Sequence, residues 1–140
     1  MTSMALCAMA LFGMASIAVV AAEAGQPMTV NAGVFSPAQA ERGRLAYQAH
    51  CAACHGETLT GEGAPALAGP FWTAWSGRSL DELYLLVQGS MPQQAPESLP
   101  PETYADIIAY MLRIGGYPSG SQPLPADEAE IAAIRIEQPK

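Results

Sequence analysis

Apolar residues recur at helical spacing in three stretches of this chain, separated by segments in which glycine and proline break every period. The first stretch opens with Ser36 as N-cap, Pro37 at the first helical position and Gln39 three residues after the cap. It carries Ala40, Gly43 and Tyr47 on one face and runs straight into Cys51. Gly43 in mid-helix costs about 1 kcal/mol relative to alanine, a cost that a close helix crossing offsets. The second stretch has Ser79 as N-cap, Glu82 closing a capping box, Leu80, Leu83, Tyr84 and Val87 at helical spacing, and Gly89 as terminator. The third begins near Pro101, presents Tyr104, Ile107, Ile108, Met111 and Leu112 as a broad apolar face, and ends at Gly115 and Gly116. No run alternates as a strand does and no repeat is visible, so the pattern predicts an all-α domain with three main helices.

The intervening segments differ in kind. Gly56 to Gly77 is rich in Gly, Pro and Ala yet holds an aromatic island at Phe71, Trp72 and Trp75, which predicts a loop wrapped over something rather than a free linker. "SMPQQAPESLP" is a second loop, marked by three prolines. Residues 36–117 form the expected domain, preceded by a loosely ordered, flexible lead-in at 23–35. Residues 118–140 form an extension with Pro118, Pro123, Pro125 and a short helix candidate around Asp127 to Ile134.

The first 22 residues have a different pattern: no charge at all, and an apolar run from Leu6 to Val20 followed by small residues. That is the layout of a secretory signal peptide cut after Ala22 or Ala24, although the usual basic start is absent. The alternative is an uncleaved membrane anchor, because about 20 apolar residues span a bilayer. Export predicts a periplasmic protein, and contact with a membrane only if the segment is retained.

Charge narrows the partners. All 13 acidic and all 6 basic residues lie after residue 22, so the net charge of −7 belongs to the remainder, and the absence of basic clusters argues against nucleic acid. The core of so short a domain is small, which makes a large buried cofactor important for stability. Of three cysteines, Cys7 falls inside the N-terminal apolar run, near its beginning, and reads as an ordinary small apolar residue there. The other two, Cys51 and Cys54, stand together in "HCAACHGE".

Two cysteines two residues apart with a histidine directly after them admit a redox disulfide, a zinc site, a plain structural disulfide or a covalent haem. A thioredoxin-like pair sits beside a strand in a βαβ pattern, and no strand is legible here. Zinc wants four protein ligands, whereas beyond Cys51, Cys54 and His55 only His50 and carboxylates remain. A structural disulfide leaves His55 without a role. Haem c uses every residue: the thiols of Cys51 and Cys54 add to the two vinyl groups, and His55 binds the iron through a ring nitrogen.

With "ERGRLAYQAHCAACHG", "GEGAPALAGPFW", "SMP" and "ETYADIIAYMLRIGG" in place, the chain resembles a class I, single-haem cytochrome c of the bacterial periplasm over roughly Ala38 to Gly116. The resemblance implies helices packed around one covalent haem, with the N- and C-terminal helices crossing so that Gly43 and Tyr47 meet Ile107, Ile108 and Met111. The segment from "YADIIAYMLRIGGYPSG" to "LPADEAEIAAIRIE" is further similar to the small cytochromes that accompany bacterial quinoprotein alcohol dehydrogenases.

The resemblance also assigns a second iron ligand. Met91, in "GSMPQQ", matches the family's Met-Pro position, with Pro92 to stiffen the loop. Met111 lies on an apolar helix face and reads as core, and Met28 lies in the lead-in. By resemblance, the carbonyl of Pro65 accepts from His55 and Leu67 packs on the haem edge. Trp72 and Trp75 are expected in the haem pocket, by packing or by donating an indole N–H to a propionate. Arg78 is a further propionate partner or a solvated surface arginine, and His50 a partly exposed bystander.

Iron held by His55 and Met91 leaves no open position, which predicts outer-sphere electron transfer rather than catalysis, with dehydrogenase donors and oxidase or cytochrome acceptors as redox partners. Two other classes stay in play. One is a haem enzyme or ligand sensor with an open sixth site, which follows if Met91 does not bind; the other is a non-haem metal or redox protein.

Overall fold

The computed structural model describes residues 27–140, so the apolar run from Leu6 to Val20, its cleavage site and Cys7 lie outside the described residues. Six helices and two very short strands follow in the order β1 (Met28–Thr29), α1 (Pro37–His50), α2 (Ala52–His55), α3 (Pro70–Trp75), α4 (Leu80–Ser90), α5 (Pro101–Ile114), α6 (Glu128–Ala132) and β2 (Ile134–Arg135), with one 3₁₀ turn at Val30–Ala32. The fold is mostly helical, and α1, α4 and α5 are its three long helices.

The caps read from the sequence start these helices. Ser36 Oγ accepts from Gln39 N at 3.2 Å, and Ser79 and Glu82 close a reciprocal capping box at the start of α4. The core is a single cluster to which α5 contributes eight buried residues from Tyr104 to Leu112.

α1 crosses α5 at Gly43. A Cβ there would run into the carbonyl of Asp106 and touch Tyr110, so a hydrogen is all the contact admits. Tyr47 meets Tyr110 at a tilt of 52° with ring centroids 5.4 Å apart, and Arg42 grips Asp106 through two bonds of 2.8 and 2.9 Å. At Gly43 the crossing uses Asp106 and Tyr110, while Tyr47 shares a cavity wall with Ile107 of the face anticipated from sequence. Ile107, with Tyr47 of α1, and Met111 also wall a cleft.

The start of the described chain corrects the sequence reading. Residues 28–35 are not a loose lead-in: β1 pairs in parallel with β2 (Met28 with Ile134, Thr29 with Arg135), and Val30 and Phe35 are fully buried. The extension carries its expected short helix, α6, and Ile131, Ile134 and Ile136 join the core. Ile136 exchanges backbone bonds of 2.8 Å with Gly77 and Arg78 just ahead of α4, and Tyr117 donates to Glu137 O at 2.6 Å. The expectation of no strands fails for a simple reason: two-residue strands show no alternation that could be read.

Candidate functional site

Cys51 is the joint between α1 and α2. Its N–H continues the α1 ladder to Tyr47 O at 2.8 Å, and its carbonyl then accepts from Cys54 N and His55 N at 3.1 and 3.0 Å. The single turn that results stacks Cys51 and His55, four residues apart, on one side of the chain. Gly56 ends the turn at φ 79°, where a side chain would be strained.

The following loop is fastened to that turn by its backbone. Cys54 O accepts from Gly63 N and Ala64 N, both at 2.9 Å, His55 O accepts from Gly61 N at 2.8 Å, and the Tyr47 hydroxyl donates to Gly56 O at 2.7 Å. The loop thereby brings Pro65 O to 2.8 Å from His55 Nδ1. A carbonyl only accepts, so Nδ1 carries the proton and the Nε2 lone pair is left for a metal.

His55 faces a cleft of two lobes. The larger, about 280 Å³, is walled among others by Tyr47, Cys51, Cys54, Pro65 and Ile107, and the smaller, about 170 Å³, by Phe71, Leu83, Leu86, Val87 and Met111. His55, Leu67 and Met91 line both lobes. Taken together the lobes fall in the range of small-molecule and cofactor sites, roughly 300–1,000 Å³.

Met91 is the C-cap of α4, its N–H bonded to Val87 O at 2.9 Å and its backbone extended at φ −128° and ψ 147°. Its carbonyl accepts from the Tyr104 hydroxyl at 2.8 Å. Met111 is buried in the core and forms part of the smaller lobe, whereas Met28 is exposed on β1. His50 is the exposed last residue of α1 and reaches the edge of the larger lobe.

The tryptophans are the main departure from the expected site. Trp72 and Trp75 line neither lobe; Phe71 does. On the short helix α3, the Trp72 ring meets Tyr117 edge-on at 5.1 Å and lies over Gly115, while Phe71 packs against both tryptophans and reaches the smaller lobe. The Trp72 indole N–H is buried without a partner. Arg78 stacks on Trp75, 4.1 Å from the ring centroid, and pairs with Glu82 at 2.7 Å, so its charge is already engaged at the surface.

Beyond the expected residues, the cleft recruits Tyr47, Phe71, Leu83, Leu86, Val87, Ile107 and Met111. The spacing of Leu83, Val87 and Met91, each four residues after the last, already marked one face of α4 leading to Met91. Nothing in the spacing of the loop could have singled out Phe71 over its tryptophan neighbours.

The chemistry of this donor set fits haem c. Burial, with the neighbouring Cys54 second, pushes the Cys51 thiol up to about 11, so at neutral pH it is no redox-active thiolate of the kind a lowered pKa creates. Among the described residues, no three His, Cys, Asp and Glu side chains come together to hold a metal ion. What remains is two free thiols at the rim, one imidazole with a fixed lone pair, and largely apolar walls.

A family model described as cytochrome C oxidase, cbb3-type, subunit III matches residues 38–111, more than half of the chain. Neither the curated proteins nor the solved structures contain a significant match. The matched segment runs from the start of α1 to Met111 and so spans both cysteines, His55, the aromatic loop and Met91. Fold, thiol pair and family match converge: this chain belongs to that cytochrome c family, a class I cytochrome c whose haem, held covalently, transfers electrons to and from redox protein partners.

Proposed function

We propose that this chain is an exported, periplasmic electron carrier with a single haem c ligated by His55 and Met91, working as a soluble carrier or as the electron-transfer subunit of a dehydrogenase. The observation that carries the reading is that His55 and Met91, from different elements, line both lobes of one cleft. A single C-x-x-C-H motif supports one haem. Export rests on the uncharged N-terminal run, and the dehydrogenase partner on the similarity of residues 104–137 to cytochromes that accompany quinoprotein enzymes.

Bound there, the haem supplies a one-electron iron couple, whose potential methionine ligation raises. The protein's own residues do the rest. Pro65 fixes the His55 ring, so ligand geometry is preset in both redox states. Leu83, Val87 and Met111 give the smaller lobe apolar walls that exclude water, while exposed Cys54 would hold a haem thioether at the surface, where a partner could approach it. Iron held by both His55 and Met91 would leave no position open to substrate, which would set this protein apart from a haem enzyme. The acidic surface favours a positively charged docking patch on the partner.

The test is to express the chain with a haem-attachment system. A mass increased by one haem, a ferric spectrum with the weak far-red band of methionine ligation and slow binding of CO by the reduced protein are expected. Absence of that band together with rapid CO binding overturns the carrier reading in favour of an open sixth site.

A further inference from the structure

The loop that begins at Met91 is tied back to the helices on both sides of it. Met91 N–H bonds to Val87 O, and Glu97 N–H bonds to Gln88 O at 3.0 Å, so the loop is laced to the last turn of α4. At its far end, Leu99 N–H points to the Tyr104 hydroxyl at 3.4 Å, and that same hydroxyl donates to Met91 O at 2.8 Å. One phenol oxygen thus joins the first and ninth residues of the loop.

Tyr104 is suited to that task. It sits in the first turns of α5, the helix locked against α1, is 1% exposed, and its ring meets Tyr84 edge-on with centroids 6.5 Å apart. A tyrosine buried this way has few rotamers available, so its hydroxyl is a fixed point. Tyr104 lines neither lobe of the cleft. Whatever it does for the iron site acts through the Met91 backbone.

We propose that Tyr104 is a positioning residue for the axial methionine, holding the Met91 loop closed so that its thioether stays in place and external ligands stay out. The inference rests on the assignment of Met91 as a ligand. A loop that loses both bonds to the Tyr104 hydroxyl opens more often, and an external ligand that binds only the open form gains apparent affinity in proportion to the open fraction. Loss of the two bonds, one of them long at 3.4 Å, raises that fraction about tenfold.

The experiment titrates ferric holoprotein with imidazole and follows the far-red band. Tyr104→Phe is expected to keep the band but bind imidazole about tenfold more tightly than the unsubstituted protein. Tyr84→Phe, which loses a hydroxyl bonded to Pro101 O at 3.2 Å, is the matched control and is expected to stay within about twofold. Imidazole affinity unchanged in Tyr104→Phe, or raised equally by Tyr84→Phe, overturns the role of Tyr104 while leaving Met91 as ligand. A far-red band missing from the unsubstituted protein overturns the Met91 assignment, and this inference with it.

A measurement on the unsubstituted protein covers the case in which Tyr104→Phe does not fold. Exchange of the Tyr104 hydroxyl proton, followed by the deuterium isotope shift on the ring carbon that bears it, is expected to be slow with Met91 bound and faster once imidazole displaces it. Equal exchange in the two states overturns the proposal.

Discussion

Gly43 and Asp106 touch where α1 crosses α5, and the contact is so close that the Asp106 carbonyl occupies the space a Cβ on residue 43 would need. The same turn of α5 receives Arg42 on Asp106 from one side and Tyr47 on Tyr110 from the other. The crossing carries α1, and with it the cysteine turn, to its place beside Ile107.

Gly43→Ala is therefore expected to destabilise the protein although alanine is the better helix former. The helix-propensity gain is about 1 kcal/mol, while overpacking against backbone costs typically 1–3 kcal/mol and can exceed that. Denaturant unfolding followed by circular dichroism checks the sign; a stabilised Gly43→Ala protein would contradict the close crossing.

Removal of the thiols separates attachment from ligation. Replacing either Cys51 or Cys54 by serine leaves one thioether, so haem still resists acid–acetone extraction; replacing both makes it extractable. His55→Ala in a chain with both cysteines is expected to lose the low-spin spectrum. Mass spectrometry and extraction read the first effect, absorption the second.

The aromatic island offers a contrast between neighbours. Phe71→Ala opens a wall of the smaller lobe, and CO binding by the reduced protein should accelerate several-fold. Trp72→Phe should leave CO kinetics unchanged, because Trp72 lines neither lobe. A spectral change in Trp72→Phe would restore the propionate role expected from sequence.

Ile136 tests the clasp at the chain ends. It is fully buried and bonded through its backbone to Gly77 and Arg78, so Ile136→Ala should cost about 2–5 kcal/mol of stability. The native-state haem spectrum should be unaltered, since the clasp lies outside the cleft.

Stability should fall in alkali for a reason unrelated to the iron. Burial raises the hydroxyls of Tyr47, Tyr84 and Tyr117, the last to about 12. Between about pH 10, where an unfolded tyrosine ionises, and that raised value the unfolded chain loses protons that the folded one keeps. Unfolding is then favoured as pH rises, and the stability present below pH 10 is lost through about pH 12. Tyr117→Phe should make the decline shallower when helical circular dichroism, rather than haem absorption, reports unfolding.

The sequence by itself determined what local chemistry can encode. Helix starts at Ser36 and Ser79 need only their own side chains and the next turn, and Cys51, Cys54 and His55 need only adjacent positions, so caps, helices and the thiol–imidazole motif were legible directly. The tertiary structure decided whatever depends on partners far along the chain. Which α5 ridge meets Gly43, which ring of the aromatic island turns inward, and how residues 28–29 pair with 134–135 across more than 100 positions leave no periodic trace. The bond from Tyr104 to Met91 is of the same kind: a hydroxyl's partner is set by where two helices pack, and packing is a property of the whole chain.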